Sequence, residues 1–261
     1  VPLAVLAVLL LAFVFVLADD FVPVGRMDVD KAQQIADSTD DPLVAADALN
    51  EAWLNEEALQ RLEQSGRTDA EVLWRESRSR VNIGENFEEK DERAEPYFLQ
   101  GLDEAEKAAE LAPGNADAEL MIAISAGRVA LLRGPFKAVG LVKKAYHAAH
   151  LATTLSDSIP VAYYVIGRTH KKLMEKPYIV RKLAGLGFAS ADSIPIYFEK
   201  ALEISHGNMI QCHVEYADYL LNEKKDVDAA RQQLEAALAL PIRDEQDPKA
   251  IERAKKMLAE M

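Results

Sequence analysis

The sequence predicts an all-α protein, a superhelix of stacked helix–turn–helix repeats behind an N-terminal transmembrane helix. Three observations carry this prediction. Residues 1–18, VPLAVLAVLLLAFVFVLA, hold no charged or polar side chain. The rest of the 261-residue chain is rich in Ala, Leu, Glu and Lys and poor in Thr, with only 12 Gly and 11 Pro, a balance that favours helix over strand. Large and small residues also recur with a period of about 34, the spacing of a helix pair that buries its apolar face only by stacking on a neighbour.

As a helix, the first 18 residues would be about 27 Å long, close to the hydrocarbon thickness of a bilayer. Val16-Leu17-Ala18 before Asp19 also fits a signal-peptide cleavage site, but the run is longer than the usual apolar region of such a peptide. An anchor over 1–18 is therefore the expectation, with cleavage as the alternative. Residues 19–29, containing Phe21-Val-Pro-Val-Gly25, read as a tether. Residues 30–261 read as the repeat domain, placed on the extracytoplasmic, periplasmic side.

The helices follow in order. The first covers 30–38, with Asp28 or Asp30 near its cap. Asp40-Asp41-Pro42 breaks it, and Pro42 suits the first turn of the next. A single helix is expected over 43–65, because Leu43, Ala46, Leu49, Trp53, Leu59 and Leu62 keep helical spacing. Helices over 69–81, 96–111, 116–132, 136–155, 161–174, 195–204, 209–221, 227–240 and 248–261 complete the series, the last as a solubilising cap. Residues 82–91 read as a loop or weak helix, and 177–191 as a short helix around 180–186 with a Gly-containing loop. No convincing strand is found.

In a repeat of this kind the second helix needs small residues where it crosses the first, then a turn. Gly101, Ala105, Ala108 and Pro113 have that spacing. Ile194, Phe198, Ala201 and His206 repeat it, and Ala229, Gln233, Ala236 and Leu240-Pro241 do so loosely. The first helix needs a large residue, a large–small pair and an aromatic. Tyr163, Ile166-Gly167 and His170 fit, as do His213, Tyr216-Ala217 and Leu220 more weakly. These offsets are those of tetratricopeptide repeats.

The net charge of −13 is unevenly placed. Residues 19–120 carry 27 acids and 10 bases, whereas residues 133–182 carry ten bases against Asp157 and Glu175. An acidic front and a basic middle can orient the domain and steer partners, although solvated helix faces explain the same pattern. Cys212 is the only cysteine, which excludes an intramolecular disulfide and any cysteine-paired zinc or redox motif.

Catalytic chemistry finds no convergent set. His147 and His150 share a helix face and His170 is a conceivable third ligand, but no carboxylate lies nearby in sequence, so these imidazoles read as packing or groove-lining groups. Cys212 and His213 point about 100° apart on a helix, which argues against a dyad. Gly185-Leu-Gly187 is too short for a phosphate loop. No catalytic residue, metal or cofactor is expected. Lys143-Lys144 and Lys171-Lys172 suit protein carboxylates or anionic lipid headgroups better than nucleic acid, given the overall acidity.

Glu71-Val-Leu-Trp74-Arg75-Glu-Ser-Arg78, then Gly101-Leu-Asp-Glu-Ala-Glu-Lys-Ala108 and Leu111-Ala-Pro-Gly-Asn115, resemble the regulator-of-microtubule-dynamics group of tetratricopeptide-like proteins. Tyr164-Val-Ile-Gly167-Arg168, Arg181-Lys-Leu-Ala184 and Ile194-Pro-Ile-Tyr-Phe-Glu-Lys-Ala201 continue the resemblance. The bacterial T component of TRAP-type uptake systems looks similar in layout. The resemblance spans roughly 45–258 and implies a fold more than a function. The expected function is a noncatalytic, membrane-anchored scaffold binding protein partners of a larger membrane complex. The basic set Lys143, Lys144, Arg168, Lys171 and Lys172 would meet an acidic partner, and Tyr163, His170, Tyr216 and Tyr219 would line a concave groove. The alternative, which the TRAP-like resemblance implies, is a periplasmic solute-binding accessory protein with an apolar pore for a small ligand.

Overall fold

The computed structural model describes residues 27–88, 90–134 and 136–261. The expected anchor over 1–18 and all but the last three residues of the expected tether lie outside them. The described residues form thirteen α-helices and no strand. Among them no helix is long and apolar enough to cross a membrane.

Local chemistry sets several helix starts. Asp28 caps α1 (Val29–Ser38), its carboxylate accepting from the Lys31 amide at 3.0 Å. Asp41 caps α2 (Pro42–Glu51), where Pro42 takes the first turn at no cost in hydrogen bonding. Asp69 accepts from the Glu71 and Val72 amides at the start of α4 (Ala70–Glu85). A 3₁₀ turn at Glu92–Ala94 leads into α5 (Glu95–Leu111). Asn115 accepts from the Asp117 and Ala118 amides to begin α6 (Ala116–Arg133). Then come α7 (Val139–Leu155), α8 (Pro160–Met174), the short α9 (Tyr178–Leu183) and α10 (Ser193–Ile204). The series ends with α11 (Ile210–Tyr219), prolonged by a π turn, then α12 (Val227–Ala239) and α13 (Asp247–Ala259).

The single helix expected over 43–65 is two. Helix α2 ends in a Schellman motif, with Leu54 N–H donating to the Leu49 carbonyl at 2.9 Å and Trp53 N–H to that of Asn50 at 3.0 Å. The left-handed residue of the motif is Trp53, at φ 63°. Glycine usually holds this place, so the sequence carries no glycine signal for the break. The chain then turns back as α3 (Asn55–Gln64). The helix expected over 69–81 also runs four residues further, to Glu85.

The helices pack as α2/α3, α4/α5, α6/α7, α8/α10 and α11/α12, with α1 against α2 and α13 closing the far end. The first helix of each pair also touches the first helix of the next, through α2, α4, α6, α8, α11 and α13. These six therefore line one common inner face, as in helical-repeat solenoids. In two of these pairs, α4/α5 and α8/α10, a glycine on the first helix receives a phenylalanine from the second. A Cβ on Gly84 would stand 2.5 Å from Phe98 Cε1, and one on Gly167 would stand 3.0 Å from Phe198 Cδ1. The expected large–small pair at Ile166-Gly167 is thus a packing device, and Ile83-Gly84 repeats it. On α12 the expected small positions are displaced by one residue, for the buried ones are Ala230, Leu234 and Ala237.

Between α4 and α5 the carboxyls of Glu76 and Glu104 are both buried. Arg80 binds Glu104 at 2.6 Å, whereas Glu76 suffers desolvation and the nearby Glu104 charge, which push its pKa up to about 7. A raised carboxyl pKa contributes stability below the unfolded value and loses it as pH rises through about 7. Glu76→Gln is therefore expected to raise stability by about 1–2 kcal/mol at pH 8 and to leave it nearly unchanged at pH 5. Denaturant midpoints at the two pH values check this, and equal shifts at both would refute it.

Candidate functional site

The inner face carries a ladder of ion pairs. In four successive first helices the residue following the small packing residue is charged: Glu85 after Gly84, Arg128 after Gly127, Arg168 after Gly167 and Asp218 after Ala217. All four of these charged residues take part in the ion pairs of this face. Arg128 pairs with Glu85. Glu215 accepts from Lys171, and from Arg253 at 2.8 Å, with Arg168 3.8 Å away. Asp218 binds Lys171 and Arg253. Toward the other end Asp47 receives Arg75 at 2.9 Å and Arg78 at 2.6 Å, and the Arg75 guanidinium also stacks 4.1 Å from the Trp74 ring.

The C-terminal segment bridges the two ends of this face. Fully buried Asn55 donates to Glu245 at 2.7 Å and accepts from Asn82 at 3.1 Å. Lys249 Nζ donates to the Glu85 carbonyl at 2.9 Å, and Gln246 Nε2 to the same oxygen at 3.3 Å. The start of α13 is thereby tied to the end of α4 and the start of α3, across more than 160 residues of chain. Burial near Asp244 raises the Glu85 carboxyl, opposed by Arg128. Burial also raises the Glu215 carboxyl, but Lys171, Arg168 and Arg253 outweigh it and hold the group far below the usual carboxylate range.

The nine expected partner-binding residues separate under this geometry. Lys171 is 6% exposed and is consumed by Glu215 and Asp218, and Arg168 sits beside Glu215. Tyr216 is buried with its hydroxyl donating to Glu199 at 2.6 Å, and Tyr219 is buried with its hydroxyl donating to the Ala191 carbonyl at 3.2 Å. His170 is buried as well. In this arrangement Lys171, His170, Tyr216 and Tyr219 present no surface to a partner, because packing between repeats covers the positions expected to be a groove. Tyr163 is half-buried against the C-terminal core. Lys144 pairs with Glu106 and Lys172 with Glu175 at the surface. Lys143 lies beside Gly185, its Nζ 2.8 Å from where a Cβ on that glycine would stand.

The histidines form part of an aromatic cluster. The His170 ring stacks on Tyr197 at 5.7 Å, and Tyr146 meets it edge-on at 5.5 Å. His150 lies 4.4 Å from Tyr146 and 5.7 Å from Tyr197, between centroids, while His147 is exposed. Among the described residues no three His, Cys, Asp or Glu side chains gather as a metal site. Cys212 is buried, its thiol pushed well up by desolvation and turned to the Phe198 carbonyl. His213 bonds instead to Gln233 and the Gly207 carbonyl, so the two neighbours diverge as their helical spacing requires.

Two features escaped the sequence reading. One is the ladder, part of whose signal was a charged residue following a small residue in four of the first helices. The other is α9, whose apolar side chains face solvent. Tyr178, Ile179, Val180 and Leu183 are 56, 70, 45 and 86% exposed.

No curated protein matches the chain by sequence. A family model described as regulator of microtubule dynamics protein 1-3 matches residues 43–261, from the first turn of α2 to the last residue. That span holds every stacked helix pair and the closing α13, and the chain belongs to the regulator of microtubule dynamics protein 1-3 family.

Proposed function

We propose that this protein is a noncatalytic scaffold, held at a membrane by residues 1–18 with its repeat domain on the extracytoplasmic side, that docks protein partners of a larger membrane assembly. The observation that supports this best is the ladder. Buried charges that could serve chemistry are spent on one another, and the C-terminal bridge locks the first and last repeats together. A solenoid braced in this way keeps a fixed curvature, which suits presentation of a surface rather than turnover. The uncharged apolar run supports attachment to a bilayer. The side chains left for partners are Lys143, Lys144, Lys172 and Tyr163.

Purification from membranes in mild detergent, followed by mass spectrometry of stoichiometric co-migrating chains, tests this reading. Integral membrane subunits at fixed ratio are the expected result. A homogeneous free protein, released without detergent and beginning at Asp19, would overturn it.

A further inference from the structure

We propose that α9 is a membrane-contact element that inserts its apolar side chains into the headgroup region of an anionic bilayer. The proposal deepens the membrane-held reading and rests on it only for bringing the domain near a bilayer. Four large side chains project from six residues, and Leu183 and Ile179 are more exposed than any other large apolar residue described. A soluble surface scatters such residues singly, and a contiguous set marks an interaction site.

The base of the protrusion is rigidly held. Arg181 is 4% exposed, and its guanidinium donates to the Ala189 carbonyl at 2.7 Å and the Lys176 carbonyl at 3.1 Å. A Schellman turn follows, with Leu186 N–H donating to the Arg181 carbonyl at 2.7 Å and Gly185 at φ 71°. Leu186 is then fully buried against Leu173 and Val142. One side of α9 is thus stapled into the core and the other is presented to solvent by design of the same hydrogen bonds.

Charge selects the occupant. Lys143, Lys176 and Lys182 make no ion pair among the described residues. No acidic residue occurs from 176 to 191, although the chain as a whole carries −13. Lysines flanking apolar side chains can reach headgroup phosphates while their neighbours enter the acyl boundary. A convex wedge of this kind leaves gaps against a folded protein surface, whereas a fluid bilayer closes around it. The Tyr178 ring, with the Arg181 and Lys182 cations 5.7 and 5.9 Å from its centroid, suits the interfacial layer.

Cys212 is fully buried, so a fluorophore directed to a Leu183→Cys variant labels that position. The full chain carrying an environment-sensitive label is mixed with phosphatidylcholine vesicles, with and without phosphatidylserine. Flotation with the neutral vesicles reads the apolar run, and the label reads α9. A blue shift with quenching by spin-labelled lipids, confined to vesicles containing phosphatidylserine, is the expected result. Adding Lys176→Glu and Lys182→Glu should weaken that insertion equilibrium about tenfold or more. A label that stays in water on both vesicles overturns the proposal even if the protein floats. A shift equal on both, or one that follows protein concentration without lipid and so reports self-association, overturns it too.

Discussion

Exchanging Glu215 for Gln is expected to destabilise the protein by about 3–5 kcal/mol, the largest effect of any single ladder substitution. The Glu215 carboxylate is 6% exposed and faces three cations, with Lys171 and Arg253 bonded to it and Arg168 3.8 Å away. Desolvating a carboxylate is unfavourable, yet this one stays ionised far below the usual range because the cations more than offset the burial. A neutral amide removes the charge and leaves the cations in place. Lys171, itself 6% exposed, would then share the Asp218 carboxylate with Arg253. The cost comes from uncompensated buried charge, so it should shrink when the partner is removed as well. Glu215→Leu combined with Lys171→Leu is expected to be less damaging than the sum of the two single changes, with a coupling above about 1 kcal/mol. Thermal unfolding at pH 7 reads the single variant as a fall in Tm of roughly 10–15 °C for a domain of this size. A fall of only a degree or two would mean that the ladder is solvated and contributes little. Since the folded pKa is depressed, this contribution is present above the unfolded value and is lost as pH falls below it.

Helix positions were largely legible because their signals are local. Asp28, Asp41, Asp69 and Asn115 each cap the helix that follows, and the glycine or proline turns end helices where backbone chemistry requires. The repeat was legible for the same reason, since Gly101, Gly167 and Phe198 mark where helices must approach closely. What failed depends on tertiary context. The break at Trp53 uses a residue that seldom takes a positive φ, and apolar spacing ran straight through it. On α12 both Ala229 and Ala230 are small, and only packing against α11 selects the second. The ladder is built from charges 28 to 47 positions apart in the chain, so composition shows the charges but not their pairing. A basic middle looked free to meet a partner, while in the fold Arg168 and Lys171 meet this chain's own acids. The α9 surface was hidden for the opposite reason. Its apolar residues resemble core residues in sequence, and only the staple through Arg181 and Leu186 turns them outward.

His170 predicts how the fold responds to acid. Its Nδ1 accepts from the Ser190 amide at 3.1 Å, so the neutral ring carries its proton on Nε2, which is buried without an acceptor. The titratable groups around it are neutral ones, His150 and Tyr146 of α7 and Tyr197 of α10, so nothing compensates an imidazolium. Burial, and then the proximity of His150, hold its pKa down at about 4. The unfolded chain takes up this proton near pH 6.5 and the folded one does so only at about 4, so stability is full above 6.5 and drains as pH falls between the two values. Between pH 7 and pH 5 the loss from this one group is about 2 kcal/mol. His150, also depressed by burial, adds to it in the same direction. Glu76 acts oppositely over the same window, since its raised carboxyl is relieved by protonation. Comparing wild type with His170→Phe cancels that contribution, because both proteins carry Glu76. The variant is expected to lose a pH-independent increment of about 1 kcal/mol, having left the Ser190 amide unbonded. Its stability should nevertheless fall less steeply than the wild type's from pH 7 to pH 5, so that the two curves converge. Urea midpoints across that range decide the matter, and parallel curves would place His170 already protonated, or solvated, in the folded state.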